Sequence, residues 1–403
     1  MIDIRILVAV CVAEVLSMAS YAGVAAILPD FIRMWGLTNA EAGWISGIYF
    51  AGYTLAVPFL VSMTDRVDPR RIYLAAMALS AFSSLGYAFF ADGFWTAFVF
   101  RALGGIGLAG TYMPGLKMLS DRTSDEKRAR VVGIYTAAYS ASSSLSFVFV
   151  GVIEDLMDWR WAFGLGGASA LAALFLILFT VPATPPKPGP KSSPLAVLDF
   201  RPVLRNHAAL GFMLAYLVVV WVLSANRSWM VAFLEFSGGL QGEGALVWSA
   251  VTCAAIMNLL GLPATIFGNE AAIKHGAVRV MVMFFLAATI VGLPLGYLAD
   301  SSYVAVLAVA SVFGVLIGCN ASSVTAGTVQ VAEPARRGAT MALHSCLGFL
   351  GGFLGPLAFG YVLDHAGGGH SVGAWGLAFA GSAAMCVVGA ALVALLARSG
   401  RKA

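Results

Sequence analysis

RALGGIGLAGTYMPGLKMLSD, residues Arg101–Asp121, is the stretch from which the rest of the chain is read. It lies in an apolar run that begins near Trp95. Arg101 sits several residues inside that run, where an isolated helix would press it against lipid. A guanidinium does not shed its charge by deprotonating. Its place is therefore a protein interior or a wet cavity, in contact with something anionic. On a helix, Arg101, Gly105, Leu108 and Tyr112 share one face. Gly104, Gly105, Gly107 and Gly110 allow a second helix to come close. Pro114 frees a backbone carbonyl towards the far end.

The surrounding chain is of the same kind. Of its 403 residues, 60% are hydrophobic and only 11% charged, and the mean hydropathy is +0.87. Long uncharged runs alternate with short charged clusters, the pattern of a polytopic membrane protein. The net charge of +4 is spread over those clusters, which excludes a nucleic-acid-binding surface. Cys11, Cys253, Cys319, Cys346 and Cys386 all fall in apolar runs without metal-ligand spacing, and read as small buried residues. The first apolar run has no small-residue cleavage site followed by a soluble region, so it reads as a retained span. There is no nucleotide-binding Gly-Lys-Ser/Thr loop and no Ser/His/Asp, Cys/His or paired-carboxylate grouping. That excludes an ATP-driven pump and an enzyme, and no cofactor or metal is expected.

Apolar runs of about 20 residues, enough to cross ~30 Å of hydrocarbon, lie near 5–28, 42–63, 71–90, 95–119, 130–153, 161–181, 207–233, 245–267, 277–298, 303–327, 339–362 and 373–397. Twelve spans put both termini on one side. Of the 24 Lys and Arg, nineteen then fall on that side, only Arg33 and Arg160 on the other, and Arg101, Lys117 and Arg227 within spans. The positive-inside bias makes the terminal side cytoplasmic. The longest polar segment, 182–206, carries five prolines within 182–190 and reads as an extended cytoplasmic linker. It divides the chain into an N-terminal six-helix bundle, 1–181, and a C-terminal one, 207–403. An offset of 209 pairs Arg128 with Arg337, Gly151 with Gly360 and Asp155 with Asp364. Each triplet brackets one span, the fifth or the eleventh, as an internal repeat would.

With this organisation in view, Arg101-x-x-Gly104-Gly105-x-Gly107 resembles the fourth-span R-x-x-x-G-x-G motif of the major facilitator superfamily. The loop Asp65-Arg66-Val67-Asp68-Pro69-Arg70-Arg71 is similar to that family's G-x-x-x-D-R-x-G-x-R-R motif. Asp65, Arg66, Arg70 and Arg71 match; Val61 and Asp68 replace the two glycines. The resemblance implies that Asp65, Arg66, Arg70 and Arg71 gate the cytoplasmic side. A carboxylate near a helix N-terminus and an Arg fork make charge-assisted contacts of that kind; the plain alternative is a merely topogenic basic loop. Lys274, Gly276 and Arg279 are the remains of a second copy, and Trp159-Arg160-Trp161-Ala162-Phe163 also resembles the family. The fifth span, TAAYSASSSLSFVFVG, lacks the G-x-x-x-G-P pattern of the family's drug/proton antiporters. Tyr135, Tyr139, Ser142 and Ser146 give it a polar face instead. Gly355-Pro356 in the eleventh span reads as close packing and a bend.

The resemblance implies an all-α membrane protein of twelve helices in two pseudo-symmetric bundles, with a site lined by spans one, four, seven and ten. That brings forward Tyr21, Arg101, Tyr112, Tyr216, Arg227 and Asn320 as substrate-binding candidates. Glu14 is the only carboxylate near the middle of a span, where it calls for a proton or a cationic partner. His344 is the only histidine within one; it is a second proton-relay candidate or a packing residue. Lys117 and Arg227 lie near span ends, where such side chains snorkel. The apolar stretch 207–236 exceeds a straight span and is expected to tilt or break near Asn226. Asn258 lines a polar cavity or bridges helices. The reading reached is a secondary transporter of a small anion, working by alternating access with proton coupling. Proton-coupled efflux of a lipophilic or cationic compound is the alternative, and a membrane sensor or scaffold that has lost transport is a third. The expected partners are an anionic small molecule, protons and the bilayer. The expected form is a monomer in the bacterial inner membrane, both termini cytoplasmic.

Overall fold

Apolar runs of this length have one inexpensive conformation in lipid, because a helix satisfies every backbone group internally. The computed structural model describes residues 4–64, 66–184, 200–242, 248–333 and 336–399. Among the described residues there are fourteen α-helices and no strand. They are α1 (Ile4–Ser17), α2 (Gly23–Trp35), α3 (Asn39–Met63), α4 (Pro69–Phe90), α5 (Phe94–Ser120), α6 (Asp125–Leu156), α7 (Trp159–Thr180), α8 (Arg201–Leu204), α9 (His207–Leu240), α10 (Ala250–His275), α11 (Ala277–Leu295), α12 (Tyr303–Val331), α13 (Arg337–His365) and α14 (Val372–Ser399). Eleven helices are long and apolar enough to cross a membrane, and α1 with α2 makes the twelfth span. Large apolar side chains such as Leu55, Phe89, Phe179, Ile290 and Leu395 are exposed, as lipid-facing positions require.

One expectation about helix continuity is corrected, and for another span one of two alternatives is removed. The first span is not one helix over 5–28: it breaks into α1 and α2 at residues 18–22 and runs on to Trp35. The seventh does not break near Asn226; α9 is continuous from His207 to Leu240. It contains no proline, so nothing removes a rung of its backbone ladder.

The chain forms two compact units, one of Met1–Ala26 with Ile48–Leu198 and the other of Ile27–Gly47 with Asp199–Ala403. In the first, α4 packs between α5 and α7, and α1 lies on α7 and α6. The core is built from Val10, Tyr73, Met77, Met118, Leu119 and Ile177. Gly105 is there for proximity: a Cβ on it would stand 1.8 Å from the Tyr49 carbonyl oxygen, so any larger residue would push α3 off α5. In the second unit α9 is central and packs on α13, α14 and α12. Gly355 brings α13 against the Trp221 carbonyl, and Trp229 Nε1 donates to Pro356 O at 3.0 Å. Asp364, near the end of α13, caps the first turn of α3. Its Oδ1 accepts from Asn39 N at 3.0 Å and Asn39 Nδ2 at 2.8 Å, and its Oδ2 from Ala40 N at 2.7 Å.

Candidate functional site

The break between α1 and α2 exposes backbone groups inside the first unit, and the neighbouring spans answer them. Ser146 Oγ of α6 donates to Ala19 O and accepts from Ala22 N, both at 2.8 Å. Ser169 Oγ of α7 donates to Leu16 O at 2.9 Å. Arg101 Nη1 reaches Tyr21 O at 3.5 Å. A discontinuous span with its loose ends held by neighbours is how membrane transporters build midplane binding sites.

Glu14 lies one turn before the break and is 0% exposed. Its Oε2 accepts from Tyr135 OH at 2.8 Å, while Oε1 has no hydrogen-bond partner. Gly115 makes the approach possible, since a Cβ there would stand 2.4 Å from the Tyr135 hydroxyl. Tyr112 stacks on Tyr135 at 5.8 Å and tilts against Tyr139 at 4.5 Å. Arg101 does not pair with Glu14. It is 8% exposed, and its guanidinium lies 4.4 Å from the centre of the Tyr49 ring, a cation–π contact. Tyr21 packs edge-on to the same ring at 5.4 Å. The Arg101 Nε has no hydrogen-bond partner. The first unit thus gathers Glu14 with Tyr112, and Arg101 with Tyr21, as two neighbouring sets.

In the second unit His344 stacks on Tyr216 at 3.9 Å. Its Nε2 is 3.3 Å from Thr325 Oγ1 and its Nδ1 3.1 Å from Thr328 Oγ1. Both ring nitrogens are therefore engaged within the bundle. Arg227 Nε donates to Asn258 Oδ1 at 2.9 Å, so Asn258 bridges α9 and α10. Asn320 is fully buried with neither amide atom hydrogen-bonded. Lys117 lies 3.7 Å from Asp121, one turn on.

In the motif-like loop, Asp65 lies outside the described residues. Arg66 and Arg71 are exposed, and Arg70 Nη2 donates to Leu178 O at 2.7 Å. Asp68, which stands in place of a motif glycine, has work of its own. It caps α4 through Arg70 N at 3.0 Å and accepts from Thr184 N at 2.9 Å. Arg122 joins it, donating to Pro182 O at 2.8 Å and to Thr184 Oγ1 at 2.6 Å. The start of the linker is strapped to the first unit by these two side chains. Sequence reading noticed the polar face of the fifth span but missed the roles of Tyr135, Ser146 and Asp68. The four-residue spacing of Ser142 and Ser146 was the one available signal.

Among the described residues, eleven span-length apolar helices, a broken first span and two compact units define a multi-pass membrane transporter. The model of the Major Facilitator Superfamily matches residues 10–272 and 252–403, and the chain belongs to that family. It is 23% identical to human protein spinster homolog 1, over 89% of this chain and 72% of that protein. The bovine counterpart is 24% identical, over 63% of this chain and 50% of its own length. A solved bacterial homologue of the human lysosomal transporter Spinster, inward-facing and occupied, aligns with a TM-score of 0.78 at 16% identity, covering 98% and 97% of the two chains.

Proposed function

We propose that this chain carries a small anion across the membrane together with a proton, as a monomer working by alternating access. One observation carries the reading: the first unit buries an acid, Glu14, and a base, Arg101, and does not pair them. An intramembrane charge is costly to keep, and a permanent ion pair would have been the cheaper arrangement. Each is instead held by neutral tyrosine groups and kept for a mobile partner. For Glu14, whose Oε1 lacks a hydrogen bond, the partner is a proton; for Arg101 it is an anion. Loading both makes the unit electrically neutral, which favours passage of the pair over either alone. The Tyr135 hydroxyl orients the carboxyl, and the Tyr49 ring steadies the guanidinium without neutralising it. We place the linker and both termini on the cytoplasmic face of a bacterial inner membrane, on the strength of the Lys and Arg bias.

The test is flux in proteoliposomes. Uptake of a labelled anion, first identified by a thermal-shift screen of anions, amino acids, sugars and cations, is measured with and without an inward proton gradient. The gradient should raise accumulation in the native protein and leave Glu14→Gln unaffected, while Glu14→Gln still exchanges anion for anion. Gradient-driven accumulation that survives in Glu14→Gln would refute the coupling.

A further inference from the structure

We infer that Tyr73 is a positioning residue for the unprotonated state of Glu14: its uncommitted hydroxyl donates to the Tyr135 oxygen when the carboxyl gives up its proton. This rests on the reading of Glu14 as the proton carrier, and it adds the group that makes release of the proton possible. Glu14 accepts one hydrogen bond, from Tyr135 OH to Oε2, and Oε1 accepts none. One bond suffices for a neutral acid. A carboxylate has about four lone-pair sites to satisfy, and Glu14 is closed off from solvent. Release of the proton therefore calls for a further donor, and the first unit holds one in reserve.

Tyr73, near the start of α4, is 0% exposed, and its hydroxyl makes no hydrogen bond. It faces the Glu14 carboxyl and the Tyr135 hydroxyl. Gly115 marks how near the two rings come. A Cβ there would stand 2.4 Å from Tyr135 OH and 2.9 Å from Tyr73 Cε2, the ring carbon next to the one that bears the hydroxyl. Tyr135 has one proton, shared between Glu14 Oε2 at 2.8 Å and Thr111 O at 3.4 Å, so its oxygen is left to accept. A bond from Tyr73 into that oxygen polarises the Tyr135 O–H and tightens its hold on the carboxylate. Among the described residues, the other hydroxyls around the carboxyl are already engaged. Ser17 donates to Glu14 O at 2.9 Å, Thr111 to Leu108 O at 3.1 Å and Ser169 to Leu16 O at 2.9 Å, and Tyr112 is bonded to Thr136. Of the remaining titratable groups, Cys11 lies one turn earlier on α1, and α3 brings Tyr49. Arg101 of α5 is held on the Tyr49 ring, and α7 carries one such side chain, Arg160, in its first turn. A buried hydroxyl without a partner bears a standing desolvation cost; at Tyr73 that cost is offset whenever Glu14 is charged.

The test reads the Glu14 carboxyl directly. Infrared spectra of the full-length purified chain in lipid are recorded against pH, following the protonated-carboxyl band that Glu14→Gln lacks. A donor to the charged form favours that form. Tyr73→Phe should therefore move the midpoint of this titration up by about one to two pH units, the worth of one hydrogen bond to a charged group. Tyr303→Phe removes a buried hydroxyl in the second unit and should leave the midpoint where it is. The pH profile of proton-driven anion uptake in proteoliposomes should move with the carboxyl band. Should Tyr73→Phe fail to fold, the native chain carries the test with isotope-labelled tyrosine: two tyrosine hydroxyls should change in step with the carboxyl, and none in Glu14→Gln. An unmoved or lowered midpoint in Tyr73→Phe, or a single responding tyrosine, would overturn the inference and leave Glu14 as the proton carrier. A raised midpoint in a protein without proton-driven uptake would keep Tyr73 in its role and remove the coupling proposed above. A Glu14 band that does not titrate would remove both.

Discussion

Replacing Ser146 by alanine removes two hydrogen bonds at once. One side chain serves both ends of the break in the first span, donating to Ala19 O and accepting from Ala22 N. Ser146 is itself buried, so its loss leaves a backbone carbonyl and a backbone N–H facing a methyl group. Side-chain hydrogen bonds between membrane helices average only about 0.6 kcal/mol, which sets a floor near ~1 kcal/mol for the two. That average applies where the unfolded state in the membrane finds other partners. Here the freed groups are backbone groups at a helix break, so the desolvation figure of ~1–3 kcal/mol each governs, or about 2–6 kcal/mol together. At ~2–4 °C per kcal/mol for domains of a few hundred residues, the melting temperature should fall by at least about 4 °C. The assay is thermal unfolding in detergent followed by intrinsic fluorescence, for which the chain has nine tryptophans. Ser140→Ala is the matched control. It lies on the same helix, is half-buried, and donates to Thr136 O within its own helix. Ser146→Thr keeps the hydroxyl and should lose much less. If Ser146→Ala melts within about 2 °C of Ser140→Ala, the break is not held by this residue and the argument fails.

Asp68→Ala removes both the cap of α4 and the tie to Thr184; amide exchange at Thr184 should quicken markedly, and unchanged protection there would place the strap elsewhere. Asp364→Ala removes three hydrogen bonds to the first turn of α3 and should cost about 1–2 kcal/mol, the upper range for a lost cap; Asp364→Asn should cost less, and equal melting of all three proteins would count against the cap. Single cysteines at Lys191 and Asp92 should react with impermeant reagents from opposite faces of sealed vesicles; labelling from the same face would overturn the sidedness read from Lys and Arg.

Fold class was legible in the chain because the property that decides it is local and additive. Twelve apolar runs of sufficient length, a proline-rich divider and an uneven distribution of Lys and Arg require no knowledge of which side chains meet. The glycines after Arg101 are legible for the same reason: a small residue in a span permits close approach whichever neighbour arrives, and at Gly105 the neighbour is the Tyr49 carbonyl. Glu14 and Arg101 could be picked out too, since a charge in lipid stands out against its own surroundings. What each charge meets was not legible. The residue that holds Glu14 lies 121 positions away, and Arg101 rests on a tyrosine ring from α3 rather than on any acid. The break at residues 18–22 was hidden most completely. EVLSMASYAG, Glu14–Gly23, contains no proline and only one glycine, at its end, so local propensity favours an unbroken helix. The helix opens because Ser146 and Ser169, from two later spans, offer its backbone hydrogen bonds that its own ladder would otherwise make. Length and hydropathy are properties of a segment, whereas the partner of a freed carbonyl is supplied by packing, and only the tertiary structure decides it.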